Sequence, residues 1–159
     1  AWSPSLASAK AGLAGVGSIS VVDAEGIIRH STLPSIVGES RGNQYAFRKL
    51  AAEPLDDFVV STPYLSVTEP RHFIIPIARR LTTPAGAFAG LIVATFLPSE
   101  LRGLFSSVDV GRQGALWVFH PDGYVLFREP STANPIGESA AGNPIFQAAR
   151  RTNGRSASG

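Results

Sequence analysis

ARRLTTPAGAFAGLIVATF, residues 78–96, decides the fold. Within it, Thr82-Thr83-Pro84-Ala85-Gly86 has the make-up of a turn: proline fixes one φ and glycine supplies a positive one. Apolar runs flank the turn, FIIPIARRL (73–81) before it and FAGLIVATF (88–96) after it. Both are rich in Ile, Val, Phe and Thr and have the length of strands. The stretch predicts a long antiparallel hairpin at the centre of a sheet. Gly86 and Gly90 leave bare backbone in it, where another segment packs closely. Arg79 and Arg80 fall on opposite faces by strand period, so one of them is able to face a cavity.

Outward from the hairpin, Ile19–Val22 reads as a strand. DAEG (23–26) reads as a type I turn opened by Asp and closed by Gly, and IIRHS (27–31) as the returning strand. Asn43 is placed to cap a helix that runs to about Ala52 and ends before Pro54. Phe58–Ser61 forms a third strand, and the hairpin supplies the fourth and fifth. Residues 1–13, rich in Ala and Ser, read as the end of a helix that begins further upstream. GLAGVG (12–17) breaks that helix, and Pro98 starts a short amphipathic one.

After Gly114 the chain repeats itself. SVVDAEGIIRHS is echoed by WVFHPDGYVLFRE, which pairs Gly26 with Gly123. Gly38-Glu39-Ser40 returns as Gly137-Glu138-Ser139, Asn43 as Asn143 and Phe47 as Phe146. The same order in both copies indicates a duplicated unit of hairpin, loop and capped helix. The second copy lacks the strands that complete the first. A two-stranded hairpin with one helix is marginal alone. The second copy is therefore expected to lean on the first or on a neighbouring molecule, and the protein to continue past Gly159.

The composition narrows the function. At 159 residues, 44% hydrophobic and 16% charged, the chain is long and apolar enough for a real core. A net charge of +2 is too small for a dedicated nucleic-acid surface. Without cysteine there are no disulfides, thiolate metal sites or cysteine nucleophiles. No apolar run approaches the roughly 20 residues of a membrane span. Lys10 and Lys49 are the two lysines, so the positive charge is mostly arginine, suited to carboxylate or phosphate contact.

Motifs for catalysis are weak. GESRG (38–42) formally fits the G-x-S-x-G of a nucleophile elbow. But GES recurs at 137–139 without the closing glycine, and the surrounding strands read as antiparallel, so a structural turn is the better reading. GLAGVG precedes a strand instead of following one, so it lacks the helix N-terminus that holds a phosphate. His30, His72 and His120 have no ligand spacing, and no metal or other cofactor is expected. His120 reads as a turn residue. Asp56 and Asp57 are adjacent on an extended chain, so their carboxylates point apart and do not form a paired acid–base site.

VVDAEG, GNQYAFRKL, VVSTPYL, IIPIARRLTTPAGAFAGLIVATFLPSEL and VFHPDGYVLFREP with IGES occur in an order that resembles the double-Cache (PAS-like) sensor domains of bacterial transmembrane receptors. These domains sit on histidine kinases, diguanylate cyclases and chemoreceptors. The resemblance spans about residues 18–159. It implies an α+β fold in which each module has a five-stranded antiparallel sheet flanked by helices. It divides the chain into a helix end and linker (1–17), a membrane-distal module (18–108) and a truncated membrane-proximal module (109–159). It implies a non-catalytic, periplasmic sensing role, tethered to the membrane by segments outside this chain and homodimeric in the full receptor. The alternative is a structural or dimerisation spacer whose pocket is filled by its own side chains.

The resemblance also places a pocket in the first module, among Gln44, Tyr45, Arg48, Ser61, Tyr64, Ser66, Arg79 and Thr95. In the family, a helix pattern Asp-Arg-x-Tyr/Trp-Phe/Tyr-Arg lines it. Here the matching residues are Asn43, Gln44, Tyr45, Ala46, Phe47 and Arg48, so a carboxylate-gripping arginine is replaced by Gln44. The aspartates that hold an amino group in amino-acid-binding relatives correspond to Ser66 and Thr95. A buried ammonium needs a charged or fully hydrogen-bonded partner. The expected ligand is therefore a small neutral or anionic molecule, not an α-amino acid, with Arg48 or Arg79 supplying positive charge.

Overall fold

The computed structural model describes residues 2–54, 58–68, 70–130 and 135–152. Asp56 and Asp57 lie outside these. The elements in chain order are α1 (Trp2–Ala11), β1 (Val16–Val22), β2 (Ile28–Ser31), α2 (Tyr45–Ala52), β3 (Phe58–Val60), β4 (Tyr64–Leu65), β5 (Phe73–Thr82), β6 (Phe88–Phe96), α3 (Leu101–Phe105), β7 (Leu116–Phe119), β8 (Val125–Glu129) and α4 (Pro144–Arg151). The central turn closes as its composition predicts. The Thr83 N–H donates to Ala87 O at 2.9 Å and the Gly86 N–H to Thr83 O at 2.8 Å.

The strands run in the order β2-β1-β6-β5-β3, all neighbours antiparallel, with the two-residue β4 added on β5. The hairpin β5–β6 is central, as expected, and β1 lies against β6 from Val16 to Val22. Strand alternation divides the sheet into two faces. On one, Leu6 of α1 packs on Ile19 and Val21, with Ile92 and Ala94 beside them. On the other, Ala46 and Leu50 of α2 pack on Val22, Ile28, Val59, Ala78 and Leu91. Arg80 shares this second face. It donates to the carbonyls of Leu50 and Ala51 at the end of α2 and stacks on Phe88 with 4.8 Å to the ring centre.

The two candidate bare-backbone glycines differ. Gly86 serves only its turn: its φ is 82°, and no atom lies within 4 Å of where a Cβ would stand. Gly90 is the close approach. Its φ is 118°, and a Cβ there would sit 2.0 Å from the Val22 carbonyl oxygen and 2.9 Å from the Asp23 backbone.

The repeat is confirmed bond by bond. Gly38 N–H donates to Ile28 O and Gly137 N–H to Val125 O, both at 2.8 Å. Arg41 N–H donates to Gly26 O and Ala140 N–H to Gly123 O, both at 2.6 Å. Ser40 bridges Ile27 as Ser139 bridges Tyr124, so the GES segments are the same structural turn twice. One correspondence needs correction: the counterpart of Asn143 is Gln44, not Asn43. Gln44 N–H donates to Arg41 O as Asn143 N–H does to Ala140 O. Asn143 Oδ1 accepts from the N–H of Ile145 and Phe146 and caps α4. Gln44 stands at the α2 cap without a side-chain cap bond. Its side chain is one methylene longer, which leaves the amide pointing elsewhere.

The hairpin turns of the two copies open on different side chains. Asp23 Oδ1 accepts from the N–H of Glu25 and Ile27, and its other oxygen pairs with Arg29. Burial works to raise the Asp23 carboxyl, but these hydrogen bonds and the Arg29 charge outweigh it and hold its pKa below the usual carboxylate value. His120 takes the same place in the second copy. Its Nδ1 accepts from Asp122 N–H at 3.1 Å, which leaves the proton on Nε2, and Nε2 donates to the Val60 carbonyl at 2.8 Å. His120 is thus a turn residue, as expected, and also a buried link from the second copy to strand β3 of the first. The Arg102–Glu129 pair at 2.9 Å and the stacking of Phe105 on Phe127 support the same junction. The second copy does lean on the first.

Three outcomes follow from this framework. Gly90→Ala is expected to cost about 2–4 kcal/mol in urea unfolding through backbone strain and displacement of β1, whereas Gly86→Asn stays near wild type. The Asp23 contribution is present above its unfolded value near 4 and is lost as pH falls through the lower folded value, so Asp23→Asn flattens the stability profile on that acid limb. His120→Asp keeps an acceptor for the turn but sets it against the Val60 carbonyl. It is expected to cost about 1–3 kcal/mol, with hydrogen exchange rising first in β7 and β8.

Candidate functional site

A cavity of about 370 Å³ opens between the sheet, the 33–44 segment ahead of α2 and the 64–72 segment. Its floor comes from β1 and β6. Ser18, Ser20 and Val22 alternate with Ile19 and Val21 on β1, so the small polar residues all face the cavity side. Ser18 stands opposite Thr95, and their hydroxyls meet at 2.7 Å. Ser20 stands opposite Ser31, and theirs meet at 2.9 Å. Each pair holds two O–H groups and uses one between its members, so the floor is able to donate. Ile28, Leu33, Ile36, Ile74 and Val93 make the walls apolar.

Four of the eight expected site residues line this cavity: Gln44, Tyr64, Ser66 and Thr95. Gln44 Nε2 lies 3.5 Å from the Tyr64 hydroxyl, across the mouth from α2 to β4. Ser66 is partly committed. Its hydroxyl donates to Thr68 O at 3.0 Å and accepts from His72 N–H at 3.3 Å, which closes the loop between them. It is left with one acceptor position and no donor for a ligand.

Tyr45, Arg48, Ser61 and Arg79 do not line the cavity. Arg48 is two residues from both Ala46 and Leu50, which form the buried side of α2, so the helical period turns it outward to solvent. Tyr45 is also exposed. Its hydroxyl accepts from Lys49 Nζ at 3.3 Å, and that bond raises the Lys49 ammonium above its ordinary pKa. Ser61 is buried beside β5, where its N–H extends the pairing to Pro76 O. Arg79 is exposed on the face of the sheet away from the cavity, opposite Ile92 and Phe58. It is Arg80 that shares the cavity face, and it is spent on the end of α2.

Positive charge reaches the cavity from two residues not anticipated there, Lys10 and Arg41. Arg41 pairs with Glu39 at 2.7 Å and donates to Ser40 O at 3.1 Å. No Asp or Glu is among the described residues that line the cavity. The S-I-S alternation of 18–20 was a visible signal for the floor. By itself it reads as a strand with a solvated face, and only the cover of α2 and the 64–72 segment makes that face a cavity. Among the described residues no group of three His, Asp or Glu is close enough to hold a metal ion, and no helix is long and apolar enough to cross a membrane.

The fold is similar to that of extracellular sensor domains of known structure. Residues 99–158 match the family model dCache_1_like, a histidine kinase sensor domain. No curated protein matches the chain. Among solved structures, the chain is similar to the extracellular domain of rpHK1S-Z16, assigned as a histidine kinase, with 23% identity and a TM-score of 0.82 over 94% of this chain and 61% of that one. It is similar to an extracellular ligand-binding receptor from Desulfohalobium retbaense, with 21% identity and a TM-score of 0.69 over 99% of this chain and 27% of that one. It is similar to the ligand-binding domain of the Pseudomonas aeruginosa amino-acid chemoreceptor PctB in complex with L-Gln, with 15% identity and a TM-score of 0.61 over 86% of this chain and 52% of that one. The chain thus spans less than two thirds of the length of each.

Proposed function

We propose that this chain is the ligand-sensing part of a bacterial transmembrane signalling receptor, facing outside the cytoplasm and not itself catalytic. Residues 18–108 form the ligand-binding module and residues 109–159 begin the membrane-proximal one. In the complete receptor two copies associate, and the ligand shifts a conformational population that reaches the output domain. The observation that carries this reading is the open cavity with a floor of paired hydroxyls. A spacer with a collapsed pocket would have filled that space with its own side chains.

The ligand is a small neutral or anionic molecule. Gln44, Tyr64, Thr95 and Ser18 supply hydrogen bonds, and Ser66 accepts one. PctB holds an amino acid in the complex named above. Here the described lining carries no carboxylate for an ammonium group, and an unpaired buried charge is costly.

A thermal-unfolding screen of organic acids, amides, purines and amino acids tests this. A cognate compound at a hundredfold excess over its Kd adds about 2.7 kcal/mol, while Gln44→Trp, which fills the mouth beside Tyr64, removes the effect. Stabilisation by α-amino acids alone overturns the ligand class, and a flat response to every compound overturns the sensing role.

A further inference from the structure

The cavity has a charged end that belongs to the helix on the far side of the sheet. Leu6 seats α1 against Ile19 and Val21, the face away from the cavity. Yet Lys10, in the last turn of the same helix, borders the cavity together with Gly17, Ser18, Thr95 and Leu97. It reaches the cavity at the end of the sheet where β1 begins.

Three observations at this end point to an anion. First, of the two lysine and arginine cations among the described residues that line the cavity, Arg41 is matched by Glu39, whereas the Lys10 ammonium makes no ion pair or hydrogen bond with the described residues. Second, the Ser18–Thr95 hydroxyl pair lies in the same corner and keeps one O–H to give. Third, Gly17 leaves the space beside that pair open. A Cβ there would stand 3.4 Å from Thr95 Oγ1 and 3.4 Å from the Leu97 side chain.

We propose that Lys10 is the charge partner of a small monocarboxylate whose apolar tail lies toward Ile28, Leu33 and Ile36. This rests on reading the cavity as a sensing site. One ammonium and one or two hydroxyls match a carboxylate. A phosphate would call for more charge, and the Arg41 guanidinium fork at the cavity is already on Glu39. Because Lys10 lies in the last turn of α1, the ligand contacts the entering helix directly and ties both faces of the sheet to its presence.

The test uses butyrate, hexanoate and benzoate against butyramide, hexanamide and benzamide, with inorganic phosphate and L-isoleucine alongside. Binding is measured by calorimetry and thermal unfolding on wild type, Lys10→Gln, Lys10→Arg and the control Lys49→Gln. The expected result is that wild type prefers at least one acid to its amide by about tenfold or more. Lys10→Gln erases that preference without lowering amide affinity, Lys10→Arg restores most of it, and Lys49→Gln leaves it intact. An acid preference that survives Lys10→Gln, amides that bind as well as acids, or phosphate that outcompetes the acids overturns the assignment of Lys10 and leaves sensing in place. Silence from all probes, with no hit in the broader screen, removes both.

Discussion

The structure depends on how closely β1 can lie against β6. At Gly90 the Val22 carbonyl occupies the space a side chain would take. Only a residue without Cβ, at a φ of 118°, lets the strand end and its turn close there. That contact holds the register in which Ser18 meets Thr95 and Val22 meets Leu91. A slip by one residue would exchange the two faces of β1. The serines would then turn toward Leu6 and α1, and Ile19 and Val21 would fill the cavity. The hydroxyl floor is therefore a consequence of register, and the register is held by a bare backbone two strands from the cavity mouth.

The duplication shows how one hydrogen-bonded frame serves two ends. The same carbonyls and amides close both turns, but the side chain that opens each turn differs. A carboxylate at Asp23 satisfies its own turn and a neighbouring arginine. An imidazole at His120 satisfies the turn with one nitrogen and reaches another strand with the other. No carboxylate is able to do both, since it only accepts. The strand it reaches, β3, leads within a few residues to Tyr64 and Ser66, so the cavity wall and the second unit share one short length of chain.

The central hairpin, the two smaller hairpins, α2 and the repeat were legible because each rests on local rules: period two, turn chemistry and proline stops. Four of the eight residues expected at the candidate site, Gln44, Tyr64, Ser66 and Thr95, do line the cavity, and they came from the resemblance, which carries over where a residue lies on or next to a strand or at a helix cap. What escaped was set by tertiary placement. Whether Arg79 or Arg80 faces inward depends on which face α2 covers, and the pair alone does not tell. Arg48 was assigned by motif position, but the helix phase set by Ala46 and Leu50 overrides it. Lys10 gave no local sign, because its place at the cavity comes from where the helix end meets the end of the sheet. Asn43 looked like the better cap by residue type, yet the spacing from the preceding turn selects Gln44.

β1 has a neighbour on each side, but β7, its equivalent in the repeat, pairs only with β8 among the described residues. Its other border offers alternating amide and carbonyl groups at the spacing of a fresh strand. Leu116-Trp117-Val118-Phe119 has no charged or proline residue to blunt that border. Wherever no strand covers it, the same geometry that makes β1 the backbone of one sheet makes β7 a seed for joining chains into a larger one.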